Sequence, residues 1–129
     1  MKINFPKDFF DEDIFLETLK REWQEEPEGM FVVQDTSSAP PRDVGFLWLN
    51  TKFSPHRKAK FGDVHYVHLI PEYRGRGVGR LLMQKADEYF GSKGVKTLRL
   101  GTAASYSASI KLYEKCGYQR TRVIFEKEL

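Results

Sequence analysis

A glycine-rich turn is the segment of this chain whose residue types are best suited to binding a ligand. It reads Arg74-Gly75-Arg76-Gly77-Val78-Gly79-Arg80 and lies between a predicted strand and a predicted helix. The start of a helix carries unpaired N–H groups and a positive dipole end, and glycines let the main chain approach a ligand closely. The arginines add charge-assisted donors. The pattern predicts a site for phosphate groups, but it also fits a plain connection between a strand and a helix.

Two common nucleotide-binding motifs do not fit this turn. A P-loop requires G-x-x-x-x-G-K-[ST], and the turn has no lysine and hydroxyl residue after its glycines. A dinucleotide fingerprint requires G-x-G-x-x-G, whereas Gly75, Gly77 and Gly79 alternate. The kind of phosphate ligand must therefore be inferred from the surrounding sequence.

Two segments resemble motifs of the GNAT superfamily of N-acetyltransferases. The segment HLIPEYRGRGVGR has the family's apolar residue, proline and R-x-x-G-x-G in the family's spacing, matched by Leu69, Pro71, Arg74, Gly77 and Gly79. The segment ASIKLYEKCGY resembles the later Leu-Tyr-Glu-Lys-x-Gly-aromatic motif through residues 112–118. The two motifs occur in the family's order, and the resemblance extends over about residues 44–125.

This resemblance implies acetyl-coenzyme A as the cosubstrate, with no metal. Its pyrophosphate would lie on the main-chain amides of residues 74–79, and its pantetheine would lie along the strand that ends at Ile70. An amide near Leu69 would stabilise the thioester oxyanion. The binding residues so implied are Leu69, Ile70, Arg74, Gly75, Arg76, Gly77, Val78, Gly79, Arg80 and Ser109.

Acetyl transfer to an amine needs a base and an acid, because a protonated amine has no lone pair and a departing thiolate benefits from a proton. The resemblance implies that Tyr113 is the acid, although Tyr113 could equally be a packing residue. It implies that the base is His65 or Asp63, or else an ordered water. Histidine titrates near neutral pH, and Asp63 could orient it; a half-buried, hydrogen-bonded His65 is the structural alternative.

Strand alternation bears on how these two side chains would act together. Residues 63, 65, 67 and 69 are expected on one face of the strand before the glycine turn. Asp63 and His65 would then be neighbours, whereas His68 would point to the opposite face in a structural role.

The sequence departs from the family's pattern at two positions of the later motif and at both ends. Tyr106 stands where the later motif often has an asparagine that binds pantetheine, and Ser109 stands where alanine is usual. The N-terminal strand is reduced to residues 2–5 or missing, and the segment after Gly117 is short. Because the acceptor site is built largely from these regions, the acceptor is the property least defined by the resemblance.

The elements that would position these residues alternate between helices and strands. Apolar periodicity predicts helices over residues 5–26, 78–90 and 105–115, and strands over residues 30–33, 44–49, 63–70 and 97–100. The alternation after Gly117 predicts a final strand with Val123 and Phe125 toward the core. Residues 50–62 are expected to form a basic loop, either a solvated connection or a grip for an anionic ligand.

The strand–helix–strand unit over residues 63–100 predicts parallel strands, and the other strands are expected to be antiparallel. The predicted fold class is α/β of the α+β type, with one domain over residues 1–129. It is a mixed, mostly antiparallel twisted sheet with a central parallel strand–helix–strand unit and helices on both faces. The resemblance implies the GNAT-like acyl-CoA N-acyltransferase fold.

Composition excludes several classes of protein. A length of 129 residues suits one domain, and 40% hydrophobic residues argue against disorder. The single cysteine, Cys116, excludes an intramolecular disulfide and a cysteine-built zinc site. No signal-peptide pattern or membrane-length apolar run is present. We therefore expect a cytoplasmic protein that binds no membrane.

The predicted function is an N-acetyltransferase that moves the acetyl group of acetyl-coenzyme A to a primary amine of a small molecule, amino acid or protein. The transfer would occur by direct attack in a ternary complex. The alternative is a non-catalytic module that binds or senses coenzyme A. A nucleic-acid binder is a third hypothesis, which the net charge of only +3 disfavours. A homodimer is compatible with the short sheet.

Overall fold

The computed structural model describes residues 2–4 and 15–129. The strands are β1 (Lys2–Asn4), β2 (Met30–Asp35), β3 (Arg42–Ser54), β4 (Ala59–Leu69) and β5 (Leu98–Arg99). The helices are α1 (Phe15–Glu25), α2 (Val78–Ser92) and α3 (Ser107–Lys115). The predicted helix over residues 5–26 is therefore confirmed from Phe15, and its residues 5–14 lie outside the described part. The short N-terminal strand is present.

The strands form one sheet in the order β1-β2-β3-β4-β5. The first four are antiparallel neighbours, and β5 pairs in parallel with β4. Helix α2 connects β4 to β5, as the long crossover between parallel strands requires. This mixed arrangement confirms the predicted fold class.

Two apolar clusters lie on opposite faces of the sheet. One face packs against α2 and includes Leu47, Leu49, Leu82 and Phe90. The other face is smaller; its buried residues are Met30, Val32, Phe46 and Trp48, and Trp23 of α1 packs against them. Helices therefore cover both faces, and β2 and β3 contribute side chains to both clusters.

The basic loop predicted over residues 50–62 is wrong. These residues continue β3 and begin β4, and the turn between the two strands is confined to residues 55–58. Pairs from Asn50 with Asp63 to Ser54 with Ala59 hold the hairpin together. Loop composition alone did not reveal this pairing, because exposed strands carry polar residues as loops do.

The final strand predicted after Gly117 is also wrong. Residues 119–129 have no regular structure, and the side chains of Val123 and Phe125 are 78% and 90% exposed. A strand needs a neighbour to pair its main-chain groups, and β5, the edge strand, has only two residues. Within the described residues, none of the helices is long and apolar enough to span a membrane.

Candidate active site

The glycine turn follows β4 and leads directly into α2. Gly75 and Gly77 have φ values of +73° and +81°, and an added Cβ at either position would meet no atom within 4 Å. These glycines are therefore required by the left-handed backbone and not by crowding. Gly79 differs, because its added Cβ would lie 2.9 Å from a methyl carbon of Leu112 on α3. Gly79 lets α3 pack closely on the start of α2.

The turn presents a run of main-chain donors. The amide of Arg74 donates to the carbonyl of Pro71 at 3.2 Å, and the first main-chain bond of α2 runs from Leu81 N to Gly77 O at 3.3 Å. The amides of residues 75–80 lie between these two bonds and have no acceptor among the described residues. Unpaired donors at a helix start suit an anion. The donor set fits a diphosphate such as that of coenzyme A.

Side chains fasten the turn to the β2–β3 hairpin. The Arg42 guanidinium forms a two-point ion pair with the Glu72 carboxylate, at 2.9 and 3.2 Å. The buried Tyr73 donates its hydroxyl hydrogen bond to Asp35. Hydrogen bonds from Ser37 and then from Tyr73 lower the pKa of the Asp35 carboxyl to about 2. The same carboxylate raises the pKa of Tyr73.

The sheet opens beside the end of β4. Pairing between β4 and β5 stops at Asp63 with Arg99, so the later part of β4 has one edge without a strand neighbour among the described residues. The Ile70 amide is not available there, because it donates to the carbonyl of Val44 at 2.9 Å. Since antiparallel ladders alternate, the main-chain groups of Leu69 point the other way, toward the open edge. The main chain of Leu69 is therefore directed toward the open edge, whereas the Ile70 amide is already paired and is not free to donate to pantetheine.

A β-bulge at His65 changes the predicted alternation of β4. Trp48 pairs with Tyr66 and Leu49 pairs with Val64, so His65 is the extra residue. Directly paired residues share a face, and Phe46 pairs with His68 while Asn50 pairs with Asp63.

The expected common face for residues 63, 65, 67 and 69 is therefore wrong. Asp63 and His65 lie with His68 on the α1 side, whereas Val67 and Leu69 pack against the core on the α2 side. A bulge cannot be read from side-chain alternation, because the alternation presumes that no residue is inserted.

Asp63 and His65 nevertheless lie together. The Nδ1 atom of His65 is 3.1 Å from Oδ2 of Asp63. A carboxylate can only accept, so Nδ1 is the donor in this contact and Nε2 is the ring nitrogen left for another partner. The imidazole also lies edge-on to the Trp48 ring, with ring centres 4.2 Å apart. The bulge, the carboxylate and the indole together fix the orientation of His65.

Lys52 is a neighbour that the sequence analysis assigned to a loop. Its ammonium is 3.1 Å from the same Asp63 oxygen that His65 contacts. Register places Lys52 opposite Phe61 and two residues from Asn50, on the face that carries Asp63. No local signal marks this contact, because Lys52 reaches Asp63 only through the pairing of β3 with β4.

A buried amide links this face to α1. Asn50 is only 3% exposed; its Oδ1 accepts from the indole N–H of Trp48 at 2.9 Å. Its Nδ2 donates to the Glu22 carboxylate at 2.8 Å. These bonds position Trp48, which in turn contacts His65, so α1 supports the His65 site through a continuous chain of contacts.

Tyr113 lies on α3 and packs partly buried against the α2-side core. Burial raises the pKa of its phenol, and a hydrogen bond with Ser109 opposes the shift. Ser109 therefore has a role within the protein as a partner of Tyr113. The neighbouring Tyr118 ring is 6.2 Å away, centre to centre, and its buried hydroxyl has no partner among the described residues. A phenol with a raised pKa stays protonated at neutral pH and can donate a proton.

Curated relatives match most of this chain. A mycothiol acetyltransferase of Nocardia farcinica is 34% identical over 98 residues, which covers 76% of this chain and 31% of that protein. An uncharacterized N-acetyltransferase of Bacillus subtilis, YycN, is 30% identical over 86 residues, covering 67% of this chain and 54% of that protein. The chain spans about a third of the length of the mycothiol acetyltransferases that it matches.

Solved structures share the fold. A crystal structure of the NatC complex bound to Gag peptide and CoA superposes with a TM-score of 0.75 at 22% identity, covering 92% of this chain and 74% of that chain. The NatB acetyltransferase complex bound to a bisubstrate inhibitor gives 0.73 at 18% identity, covering 87% and 62%. The model of the acetyltransferase (GNAT) family matches residues 2–118. This match extends over nearly the whole chain, and the chain therefore belongs to the GNAT acetyltransferase family.

Proposed function

We propose that this chain transfers the acetyl group of acetyl-coenzyme A to a primary amine by direct attack in a ternary complex. The observation that carries the proposal is the opening of the sheet after the Asp63–Arg99 pair, two residues before the bulge at His65. A thioester held at that edge would lie close to an oriented imidazole. Family membership supports acetyl transfer as the reaction class.

The glycine turn would hold the cosubstrate. The free amides of residues 75–80 suit its diphosphate, with Arg74, Arg76 and Arg80 adding positive charge. Arg74 also donates from Nε to the Leu69 carbonyl at 3.0 Å, which ties the turn to the end of β4. Bound acetyl-coenzyme A supplies the activated acyl group. The Leu69 amide, which points toward the open edge, is the candidate donor to its carbonyl oxygen.

His65 would act as the base. Its Nε2 lone pair accepts the proton that the ammonium of the acceptor must lose before attack. Asp63 holds the Nδ1 proton and favours the positive charge that forms on the ring. The partly exposed position of His65 lets an acceptor reach it from solvent.

Tyr113 would act as the acid. After attack, the nitrogen of the tetrahedral intermediate still carries one proton more than the product amide. As the carbon–sulfur bond breaks, the phenol gives its proton to the departing thiolate. The excess nitrogen proton leaves through water and restores the phenol, while the proton taken earlier by His65 returns to solvent. The raised pKa of Tyr113 keeps the phenol protonated until that step.

The acceptor is proposed as a class, a primary amine, and not as a particular compound. The relatives' name, mycothiol acetyltransferase, supports acetylation of a small molecule, and the fold is equally compatible with an amino acid or protein acceptor. Formation of a homodimer and a cytoplasmic location also stay predictions. The competing hypothesis is a module that binds coenzyme A without catalysis.

A matched pair of variants tests the proposal. Tyr113→Phe removes the phenol proton and should lower kcat at least about a hundredfold while coenzyme A binds within about twofold of the wild type. Tyr118→Phe removes a neighbouring buried hydroxyl and should leave kcat unchanged. Released thiol measures turnover on a panel of amines, and titration calorimetry measures binding.

The outcomes separate the hypotheses. Tight coenzyme A binding with no thiol release on any amine would favour the non-catalytic module. Equal activity of the two tyrosine variants would remove Tyr113 from the mechanism. Absence of any binding heat with folded protein would refute the cosubstrate assignment itself.

A further inference from the structure

The far end of the β3–β4 hairpin extends beyond the rest of the sheet. Pairing of β3 with β2 ends at Trp48, and pairing of β4 with β5 begins at Gly62. Residues 51–61, which we call the basic hairpin, are therefore a two-stranded ribbon with no third strand among the described residues. Its turn residues 55–58 are all exposed. The basic hairpin is thus exposed at its turn and partly exposed where it joins the sheet.

The charge of this ribbon is strongly one-sided. It contains four of the chain's 21 Lys and Arg side chains, namely Lys52, Arg57, Lys58 and Lys60, and none of its 18 Asp and Glu side chains. Lys52 pairs with Asp63. Within the described residues, no acidic side chain lies within ion-pair distance of the other three. The ribbon also carries Phe53, whose side chain is 61% exposed.

The backbone adds a second observation. Lys58 has φ +48°, in the left-handed region that glycine and asparagine normally occupy. A lysine at this position keeps a positive charge at the tip of the turn despite an unfavourable backbone conformation. The free charges and the tip lysine together describe a surface that fits an anionic partner.

The basic hairpin begins at the catalytic face. Lys52 contacts Asp63, which contacts His65. A sufficiently long acceptor with its amine at His65 would therefore contact this ribbon. Six residues separate Asp63 from Arg57, which at strand spacing is about 20 Å. A free amine or amino acid cannot span that distance, whereas about six residues of extended polypeptide can.

We propose that the basic hairpin recruits acidic polypeptides, whose amine is then acetylated in the site beside His65. This inference rests on the proposed function. A polypeptide presents both an amine and carboxylates, whereas unmodified nucleic acid presents phosphates without an aliphatic amine. The acidic residues should lie about three to seven positions from the acetylated amine. Lys52, on the face that carries Asp63, would contact the nearer part of the peptide, and the turn would contact the farther part.

The test compares two ten-residue peptides with free N-termini, carrying either glutamate or glutamine at positions three to eight. At low salt, wild-type kcat/KM should favour the glutamate peptide about tenfold, since each exposed ion pair contributes modestly. The preference should largely disappear at about 0.5 M NaCl, where the Debye length is only about 4 Å. An equal rate for the two peptides at low salt would overturn the proposal.

A charge-removing variant locates the effect. The triple substitution Arg57→Gln, Lys58→Gln and Lys60→Gln should abolish the preference and leave the rate on the glutamine peptide unchanged. A preference that survives in this variant would overturn the assignment to the basic hairpin.

The matched control removes the same charge elsewhere. Lys96→Gln, Arg122→Gln and Lys127→Gln lie at exposed positions outside the hairpin, and this variant should keep the tenfold preference. Loss of the preference in the control variant would show that net charge, and not the hairpin, is responsible.

A binding assay keeps the inference testable if the proposed function fails. Fluorescence anisotropy of both peptides, labelled at the C-terminus, measures binding without turnover. Hairpin-dependent binding of the glutamate peptide supports the inference even when no acceptor is acetylated, and equal binding of the peptides overturns it. Single-stranded DNA of equal charge serves as competitor; binding about tenfold tighter than the glutamate peptide would overturn the choice of a polypeptide partner.

Discussion

Substitution of Gly77 measures how far the turn's conformation prepares the phosphate site. Gly77 has φ +81° and precedes the first residue of α2, and the position has room for a Cβ. In Gly77→Ala the cost is therefore conformational, about 1–2 kcal/mol for an L-residue in the left-handed region. Asparagine tolerates that region much better than alanine does. Gly77→Asn should therefore recover most of the loss.

The penalty can appear in two measurements. If the exposed turn keeps its conformation, the free energy of unfolding falls by the full amount. If the turn relaxes, the protein stays stable and coenzyme A binds more weakly, because the competent conformation is less populated. The two losses should sum to about 1–2 kcal/mol, and a purely affinity-based loss corresponds to a factor of about 5–30 in Kd.

Urea unfolding without ligand measures the loss in the free energy of unfolding, and titration calorimetry measures the loss in affinity for coenzyme A. Both are measured for the wild type and both variants. A summed loss in Gly77→Ala below about 0.5 kcal/mol would show that the positive φ carries no such cost. A loss in Gly77→Asn as large as in Gly77→Ala would be equally damaging, because it would point to contact between the new side chain and the ligand.

Three further substitutions probe the supporting structure. Gly91 lies inside α2, and an added Cβ there would meet no atom within 4 Å. Gly91→Ala should raise the free energy of unfolding, measured by urea denaturation, by about 0.5–1 kcal/mol. A decrease would contradict the open environment. Asn50→Leu leaves the Trp48 indole and the Glu22 carboxylate unpaired and should cost about 2–4 kcal/mol, and a loss under about 0.5 kcal/mol would show that the linkage is dispensable. Asp35→Asn should destabilise the protein at pH 6. Because the pKa of Asp35 in the folded protein is about 2 and its ordinary value is 3.8, the contribution of this carboxylate to stability shrinks as pH falls from about 4 toward 2. A difference in urea midpoint between the wild type and Asp35→Asn that stays constant from pH 6 to pH 3 would contradict a stabilising role of the ionised Asp35 carboxylate.

The regular elements with strong local patterns could be predicted from the sequence. The apolar stripe of α2 and the glycine that follows it located that helix to within two residues at its end. The hairpin over residues 50–62 was missed because its main-chain pairing, and not its side-chain pattern, makes it a strand. The strand predicted after Gly117 is the opposite error, because an alternating pattern forms a strand only where a neighbouring strand can pair with it.

In the candidate site, too, some residues could be identified from motifs in the sequence, whereas contacts between distant segments could not. Motif spacing brought the glycine turn, Asp63, His65 and Tyr113 into one hypothesis, and the structure places Asp63 against His65. The contacts of Lys52 and Trp48 with this pair were not foreseen. They arise across strands and through a bulge, and neither long-range pairing nor an inserted residue leaves a local signal.

The sequence by itself determined the glycine turn before α2, the order of the helices and most strands, and the residue types able to exchange protons. Those properties are local, since they follow from glycine conformations, apolar periodicity and side-chain chemistry. The tertiary structure decided which face carries His65, which amides stay free beside β4, and that a basic ribbon extends from the site. These depend on register between distant segments, where one inserted residue moves the side chains that follow to the other face of the sheet.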